Sequence, residues 1–138
     1  MSVSNFSEFT LGTKFSKVFV IKEHLVNDFA ELTGDKNPIH LDDKYAANSF
    51  FGQKIAHGAL IYSLISEVLG MHFPGPGTIL LEQKIKFLNP VYIDDKIEII
   101  VSIKRILKLK KRFLIDVICV KSDSTEVISG ESLIKYLG

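Results

Sequence analysis

The sequence predicts an α+β fold in which one antiparallel sheet curls around a buried helix. Three observations carry this prediction. Helical periodicity dominates the first half of the chain, strand patterns fill the second half, and the links between the last strands are short enough for hairpins. With 138 residues, the chain has the usual size of one domain, so we expect a single domain and one core over residues 1–138.

The first elements are predicted to be a strand and a helix. Residues 13–21 alternate loosely between polar and apolar side chains, which indicates the first strand. Apolar residues then recur at spacings of four, four and three, which places them on one face of a helix: Ile21, Leu25, Phe29 and Leu32. This helix is expected to end near Gly34, because glycine readily adopts the left-handed conformation that closes helices.

Two further helices are expected before the strands. Asp42 is placed to cap a short helix over residues 43–48. Residues 57–69 are apolar on nearly every side and Gly70 follows them, so we expect a buried helix that ends at this glycine.

The second half of the chain predicts strands. After the break at residues 74–77, residues 83–87 alternate, and three segments rich in Ile and Val follow at 97–107, 113–121 and 127–137. The links at 108–111 and 122–125 suit antiparallel hairpins.

Composition narrows the possible partners and compartments. The 17 basic and 16 acidic residues leave a formal net charge of +1, so we expect neither nucleic acid nor an anionic membrane as a partner. No stretch of 18 uncharged apolar residues occurs, and the N-terminus lacks a basic start followed by an apolar run. We therefore expect a cytoplasmic protein. The single cysteine, Cys119, lies in an apolar run and is expected to be a small buried side chain.

The most informative segment places an acid and an imidazole close together at Asp35 and His40. Five positions apart, they would point about 140° away from each other on a helix and to opposite faces of a strand. Gly34 and Pro38 favour a tight turn instead, which could aim both side chains at one point. On spacing alone, a plain polar turn with a surface histidine remains an open alternative.

A second group of interest is Ala56-His57-Gly58-Ala59, at the start of the apolar helix. A helix N-terminus offers unpaired backbone N–H groups to a developing oxyanion, and Gly58 would let a carbonyl approach closely. Alternatively, Gly58 serves packing and His57 is only a polar residue at the helix start. Ser66 is expected to be a buried hydroxyl that bonds either a backbone carbonyl or a site group.

Other chemistries fit the sequence less well. It contains no Gly-x-Ser-x-Gly elbow, no phosphate-binding glycine loop and no His-Glu-x-x-His pattern. A metal site built from Asp35, His40 and His57 remains conceivable, although no metal is expected. His24 and His72 are expected to face solvent.

The segment Thr33-Gly34-Asp35-Lys36-Asn37-Pro38-Ile39-His40 resembles the signature of MaoC-like (R)-specific enoyl-CoA hydratases. The likeness continues through residues 51–58, 74–78 and 87–91 to 130–131, in matching order. The resemblance implies a hot-dog fold, usually a homodimer, that adds water to acyl thioesters of coenzyme A without a cofactor.

The resemblance also implies roles for individual residues. Asp35 and His40 would hold the water and move protons, and the N–H of Gly58 would polarise the thioester carbonyl. Ser66 and Asn37 would support the site, and Leu69 would line the acyl pocket. On helical spacing, Tyr62, Ser66 and Leu69 share one face, which predicts that this pocket runs beside the apolar helix.

The sequence departs from the family pattern at two places. Gln53-Lys54 stands where Arg-Pro is common, and Asp94 takes a turn position that glycine often holds. Because aspartate tolerates the left-handed conformation, we expect the turn at Asp94 to form. An acyl-carrier-protein dehydratase, a thioesterase or a non-enzymatic acyl-thioester binding subunit would share much of this sequence pattern, so these three alternatives remain open.

Overall fold

The computed structural model describes residues 5–138, which form five strands and four helices after a short 3₁₀ turn at Phe6–Glu8. The helices are α1 (Glu23–Thr33), α2 (Pro38–Leu41), α3 (Asp43–Ala47) and α4 (Gly58–Glu67). The strands are β1 (Lys14–Val20), β2 (Thr78–Phe87), β3 (Lys96–Leu107), β4 (Arg112–Lys121) and β5 (Glu126–Tyr136).

The strands form one antiparallel sheet in the order β1-β3-β4-β5-β2. Both predicted hairpins are present, since β3 pairs with β4 and β4 with β5. Side chains alternate along β3, where Ile97, Ile99, Val101 and Ile103 are buried, and they share one hydrophobic cluster with Ile61 and Ile65 of α4. The predicted α+β class, with a sheet around an apolar helix, is therefore confirmed.

The face predicted for α1 is partly wrong. Val26 and Ala30 are the buried residues of this helix, Ile21 precedes it, and Leu32 is 84% exposed. Val26 and Ala30 lie four positions apart on the buried face of the helix. Leu32, two positions beyond Ala30, points away from this face. Gly34 ends the helix as predicted, in the left-handed conformation.

The apolar helix also differs from the prediction at its end. Gly70 does not close it, because a π-helical turn continues from Val68 to His72 before Phe73 adopts extended geometry. One side of α4 is also open, since Ser63 and Ser66 are exposed. The expectation that Ser66 is a buried hydroxyl is therefore wrong.

Strand β2 is longer than predicted and lies at one edge of the sheet. It begins at Thr78 rather than at Gln83, and a bulge interrupts its pairing with β5 around Leu81. Within residues 5–138, β5 is its only partner strand. Ile79, Leu80 and Leu81 are exposed on this edge.

Three smaller expectations are confirmed. Asp42 caps α3 by accepting a hydrogen bond from Tyr45 N at 3.0 Å, and Asp94 adopts the left-handed conformation with φ of 70°. Cys119 is fully buried, and burial raises the pKa of its thiol to about 12. Across the described part of the chain, no helix combines the length and apolarity needed to cross a membrane.

Candidate active site

The turn between α1 and α2 places Asp35 at the end of a helix. Gly34 turns the chain with φ of 80°, and its N–H donates to Ala30 O at 2.9 Å. The hydroxyl of Thr33 accepts from Asp35 N at 3.2 Å while it donates to Phe29 O at 2.7 Å. These local hydrogen bonds fix the backbone of Asp35, and the residue remains exposed to solvent.

Asn37 and Pro38 then start the single helical turn that carries His40. The side chain of Asn37 accepts from Ile39 N at 3.3 Å, and Pro38 occupies the first helical position, which suits its fixed φ. The carboxylate of Asp35 accepts from Asn37 N at 3.3 Å. Asn37 therefore shapes the turn in this structure, and a contact between Asn37 and substrate stays a prediction.

His40 is held from the loop that precedes α4. It is 9% exposed, and its Nδ1 lies 2.7 Å from the carbonyl oxygen of Ile55. Because a carbonyl only accepts, Nδ1 carries the proton and the neutral ring keeps a free lone pair on Nε2. Burial lowers the pKa of His40 below its ordinary value of 6.5, which favours this neutral form. His57 adds to the shift, whereas the Ile55 bond and Asp35 oppose it.

Asp35 and His40 come together with His57. One carboxylate oxygen of Asp35 and one ring nitrogen from each histidine all lie within 4.8 Å of one another. A water molecule that makes hydrogen bonds of roughly 2.8 Å can bridge two groups at this separation. The predicted convergence of Asp35 and His40 is present, and its cause is the turn rather than any regular element.

A metal ion fits this cluster less well than a bridging water does. The rings of His40 and His57 stack, with centroids 3.8 Å apart and 27° between their planes. Two histidines that bind one ion direct their in-plane lone pairs at it, whereas stacked rings direct theirs side by side.

Gly58 begins α4 beside this cluster. His57 is the N-cap residue, so the N–H groups of Gly58 and Ala59 belong to the first turn and have no acceptor inside the helix. A Cβ at position 58 would lie 2.7 Å from Cε1 of Phe87, so any side chain there would displace this ring. The Phe87 ring therefore occupies the space that the missing side chain leaves, and the role of the Gly58 N–H as an oxyanion donor stays a prediction.

A largely apolar cavity of about 820 Å³ opens beside Gly58. It lies between the start of α4 and the end of β2, and Gly58, Tyr62, Ile85 and Phe87 are among the residues that line it. Asp35 and His40 are not part of its lining in the single chain, but Ile55, whose carbonyl holds His40, is. Asp35 and His40 are therefore linked to the cavity through Ile55, and their access to a substrate held there stays a prediction.

Only one of the three residues predicted to line an acyl pocket does so here. Tyr62 lines the cavity, whereas Ser66 is exposed and Leu69 lies in the core with 2% exposure. The cavity covers only the first turns of α4, and the π-helical turn from Val68 changes the spacing that related Leu69 to Tyr62. The site roles of Ser66 and Leu69 stay predictions.

Lys54 stabilises the loop where the sequence departs from the family pattern. Its side chain is 10% exposed, and its ammonium bonds the carboxylate of Glu23 and lies 3.5 Å from that of Asp43. The hydrogen bond that Lys54 donates to Glu23 is the main reason that the pKa of Lys54 is raised. Lys54 therefore links α1 and α3 to the loop that contains Ile55.

Sequence reasoning missed what His57 contributes to the site. The sequence offered His57 as a polar group at the helix start or as one of three conceivable metal ligands, but the residue is buried and contacts both Asp35 and His40. The contact with Asp35 spans 22 positions of the chain, so no local pattern reveals it. The only signal was a histidine placed between an apolar segment and a glycine. His24 and His72 are exposed, as expected.

Comparison with known proteins gives consistent results. Residues 8–126 match the family model described as the MaoC like domain. The chain is 42% identical over 107 residues to a 3-hydroxybutyryl-CoA dehydratase of Methylorubrum extorquens, a match that covers 78% of this chain and 68% of the relative. It is 35% identical over 129 residues to an (R)-specific enoyl-CoA hydratase of Rhodospirillum rubrum, with 94% and 89% covered.

The solved structures agree with these sequence relatives. The fold superposes on an unliganded R-hydratase of Pseudomonas aeruginosa with a TM-score of 0.91 and 34% sequence identity, and the match covers 95% of this chain and 84% of that one. The five-stranded antiparallel sheet around its helix is therefore the hot-dog fold that the sequence resemblance implied.

Proposed function

The chain belongs to the MaoC-like domain family, and from this premise we propose that it is an (R)-specific enoyl-CoA hydratase. It is a hydro-lyase that adds water reversibly to trans-2-enoyl-CoA and gives (R)-3-hydroxyacyl-CoA. The observation that carries the proposal is the state of His40, whose Nδ1–H is engaged by Ile55 while Nε2 remains free as a base beside Asp35.

The reaction begins with a water molecule held between Asp35 and His40. Both groups accept hydrogen bonds, so the water donates one hydrogen to each and turns its oxygen lone pair toward the substrate. Nε2 of His40 takes a proton as the oxygen attacks the β-carbon. The carboxylate of Asp35 stabilises the imidazolium that forms, in the way that a carboxylate supports the histidine of an acid/base pair.

The proton then moves from His40 to the α-carbon. One O–H bond of water breaks, one C–O and one C–H bond form, and the double bond becomes single, so the histidine returns to its neutral state. Because hydroxyl and proton come from the same water on one face, the addition is syn. The dehydration uses the same groups in reverse.

Gly58 supports the charge that develops during attack. As the β-carbon is attacked, negative charge accumulates on the thioester oxygen. The free N–H at the start of α4 can donate to this oxygen, and the positive end of the helix dipole favours the charge. Such a preorganised donor stabilises the transition state by about 3 kcal/mol. The apolar cavity beyond Gly58 holds the acyl chain.

We further propose that the protein acts as a cytoplasmic homodimer that takes acyl-CoA and binds neither nucleic acid nor membrane. The open β2 edge supports the dimer, because exposed edge strands pair readily with a second copy and Ile79, Leu80 and Leu81 add apolar surface. Relatives at 42% and 35% identity are named for CoA thioesters, and relatives at 32% and 28% identity are named for acyl-carrier-protein thioesters, so the higher identities favour coenzyme A.

Hydration of crotonyl-CoA tests the proposal. We expect loss of absorbance at the enoyl-thioester band, with (R)-3-hydroxybutyryl-CoA as the product on chiral analysis. Strict dependence on an acyl carrier protein would favour a carrier-protein dehydratase, and release of free thiol would favour a thioesterase. Binding of enoyl-CoA with no turnover would indicate a non-enzymatic subunit and contradict the proposal.

A further inference from the structure

His57 is a buried polar side chain that the mechanism above leaves without a role. It is 2% exposed, although it is the residue that precedes the first turn of α4. A capping residue normally accepts a hydrogen bond from the helix through its side chain, but His57 makes no such bond. Its imidazole therefore serves something other than the end of this helix.

The imidazole contacts both members of the acid/base pair. Its Nε2 lies 2.9 Å from the backbone carbonyl oxygen of Asp35, so Nε2 carries the proton and donates it. One face of the ring stacks on His40 at 3.8 Å. Phe29 of α1 contacts the same ring in a tilted arrangement at 5.0 Å. One side chain thus fixes the backbone of the acid and the ring plane of the base.

The remaining nitrogen argues against a role in packing alone. With Nε2 protonated in the neutral ring, Nδ1 is an acceptor, and it is buried without a hydrogen-bond partner among the described residues. A buried acceptor without a partner destabilises the fold. An apolar ring would fill the same space between Phe29 and His40 without this penalty, so packing alone does not account for the histidine.

We propose that His57 is a positioning residue for the hydration reaction. Its Nε2–H anchors the main chain of Asp35, and its ring orients His40, so that the carboxylate and Nε2 of His40 face the same water. The inference rests on the proposed hydratase activity. His57 does not exchange protons with the substrate, because its proton is committed to the Asp35 carbonyl.

Three substitutions of His57 separate the effect of its Nε2–H donor from the effect of its aromatic ring. His57→Phe keeps an aromatic ring but removes the donor. His57→Gln places an amide N–H near the position of Nε2, whereas His57→Asn has the same chemistry on a side chain too short to reach the Asp35 carbonyl. His72→Phe is the matched control, because His72 also stacks on an aromatic ring, that of Phe15, but lies outside the site.

The steady-state hydration of crotonyl-CoA and thermal unfolding are measured for all five proteins. For His57→Phe and His57→Asn we expect kcat to fall about 10- to 100-fold, because small misplacements of reacting groups cost rates of this order. KM should change less than about threefold, since Gly58 and the cavity are intact. His57→Gln should retain kcat within about fivefold of the parent, and His72→Phe should match the parent.

Two results would overturn the inference. One is parental kcat in folded His57→Phe or His57→Asn. The other is an equal loss of kcat in His57→Gln and His57→Asn, which would show that the donor does not carry the effect. Comparison of the Gln and Asn variants decides the matter even if His57→Phe does not fold. An inactive parent protein would contradict the proposed function instead, so the two failures are distinguishable.

Discussion

His40 shows how a single hydrogen bond determines the chemistry of a side chain. The carbonyl of Ile55 accepts from Nδ1 at 2.7 Å, and this fixes which nitrogen is basic. Without that bond, a buried histidine could present either nitrogen to the substrate. The residue before Ile55 is Lys54, which two carboxylates hold in place. The loop therefore determines which nitrogen of the proposed base is free, although it contributes no proposed catalytic side chain.

The lowered pKa of His40 leads to a pH prediction. The base must be neutral, so activity requires a pH above the pKa of His40. Burial lowers this pKa from 6.5, so the ring protonates only when the pH falls below that value. We expect kcat/KM for crotonyl-CoA to decline on the acid side with a midpoint below 6.5 for the group that titrates as His40.

NMR titration of the His40 ring tests whether His40 is the group that causes the decline in kcat/KM on the acid side. The pKa from the ring signals should coincide with the kinetic midpoint of the free enzyme, because kcat/KM reports groups of the free enzyme. A ring pKa of His40 at or above 6.5 would contradict the interpretation.

At the scale of elements, the cavity follows the first turns of α4 and the end of β2. Tyr62 lines it from the helix. We expect Tyr62→Ala to shift the chain-length preference toward longer enoyl-CoA substrates, because removal of the phenol ring enlarges the space beyond Gly58. The measurement is kcat/KM over a series of enoyl-CoA chain lengths.

Leu69→Ala is the informative counterpart because Leu69 is buried in the core. We expect a loss of about 2–5 kcal/mol in the free energy of unfolding, as is usual for Leu to Ala in a core. The family resemblance predicts that this variant also shifts the preference toward longer chains, whereas the cavity, which Leu69 does not line, predicts no shift. A shift with Leu69→Ala but none with Tyr62→Ala would place the acyl pocket deeper along the helix than the cavity indicates.

Elements with a clear period were predictable from the sequence, and those with local irregularities were not. β3, β4 and β5 begin within one residue of their predicted starts, because alternation and hairpin links define them. The start of β2 was missed because Ile79, Leu80 and Leu81 are consecutive apolar residues around a bulge, which hides the alternation. The π-helical turn after α4 was missed because no sequence pattern marks it.

The candidate site was also predictable from the sequence only in part. The turn at Gly34 and Pro38 indicated that Asp35 and His40 could converge, and the family signature selected this over a plain polar turn. The contacts of His57, and the ion pairs of Lys54 with Glu23 and Asp43, join residues far apart in sequence. Such contacts depend on how helices pack, which local patterns do not determine.

At the scale of the whole molecule, the open β2 edge leads to a prediction about assembly. We expect the parent protein to sediment at micromolar concentration with twice the mass of one chain. Leu81→Lys should shift the equilibrium toward the monomer, because a lysine on an edge strand opposes edge-to-edge pairing. Leu81 is 40% exposed and lies at the bulge.

Leu109→Lys is the control for this substitution, since Leu109 is fully exposed in the link between β3 and β4. It should leave the sedimentation profile unchanged. A fully active parent protein that sediments as a monomer would contradict the proposed homodimer. An unchanged dimer in the Leu81→Lys variant would place the interface elsewhere.

The central claim is that Asp35 and His40 act as one unit on one water, and a double-mutant cycle tests it most directly. Hydration rate and enoyl-CoA affinity are measured for the parent, Asp35→Asn, His40→Ala and the double variant. Each single change should lower kcat at least about 10²-fold, and the double variant should be little worse than the poorer single one. Affinity should weaken only modestly, because Gly58 and the cavity persist. Near-parental turnover in a folded Asp35→Asn variant would contradict the mechanism.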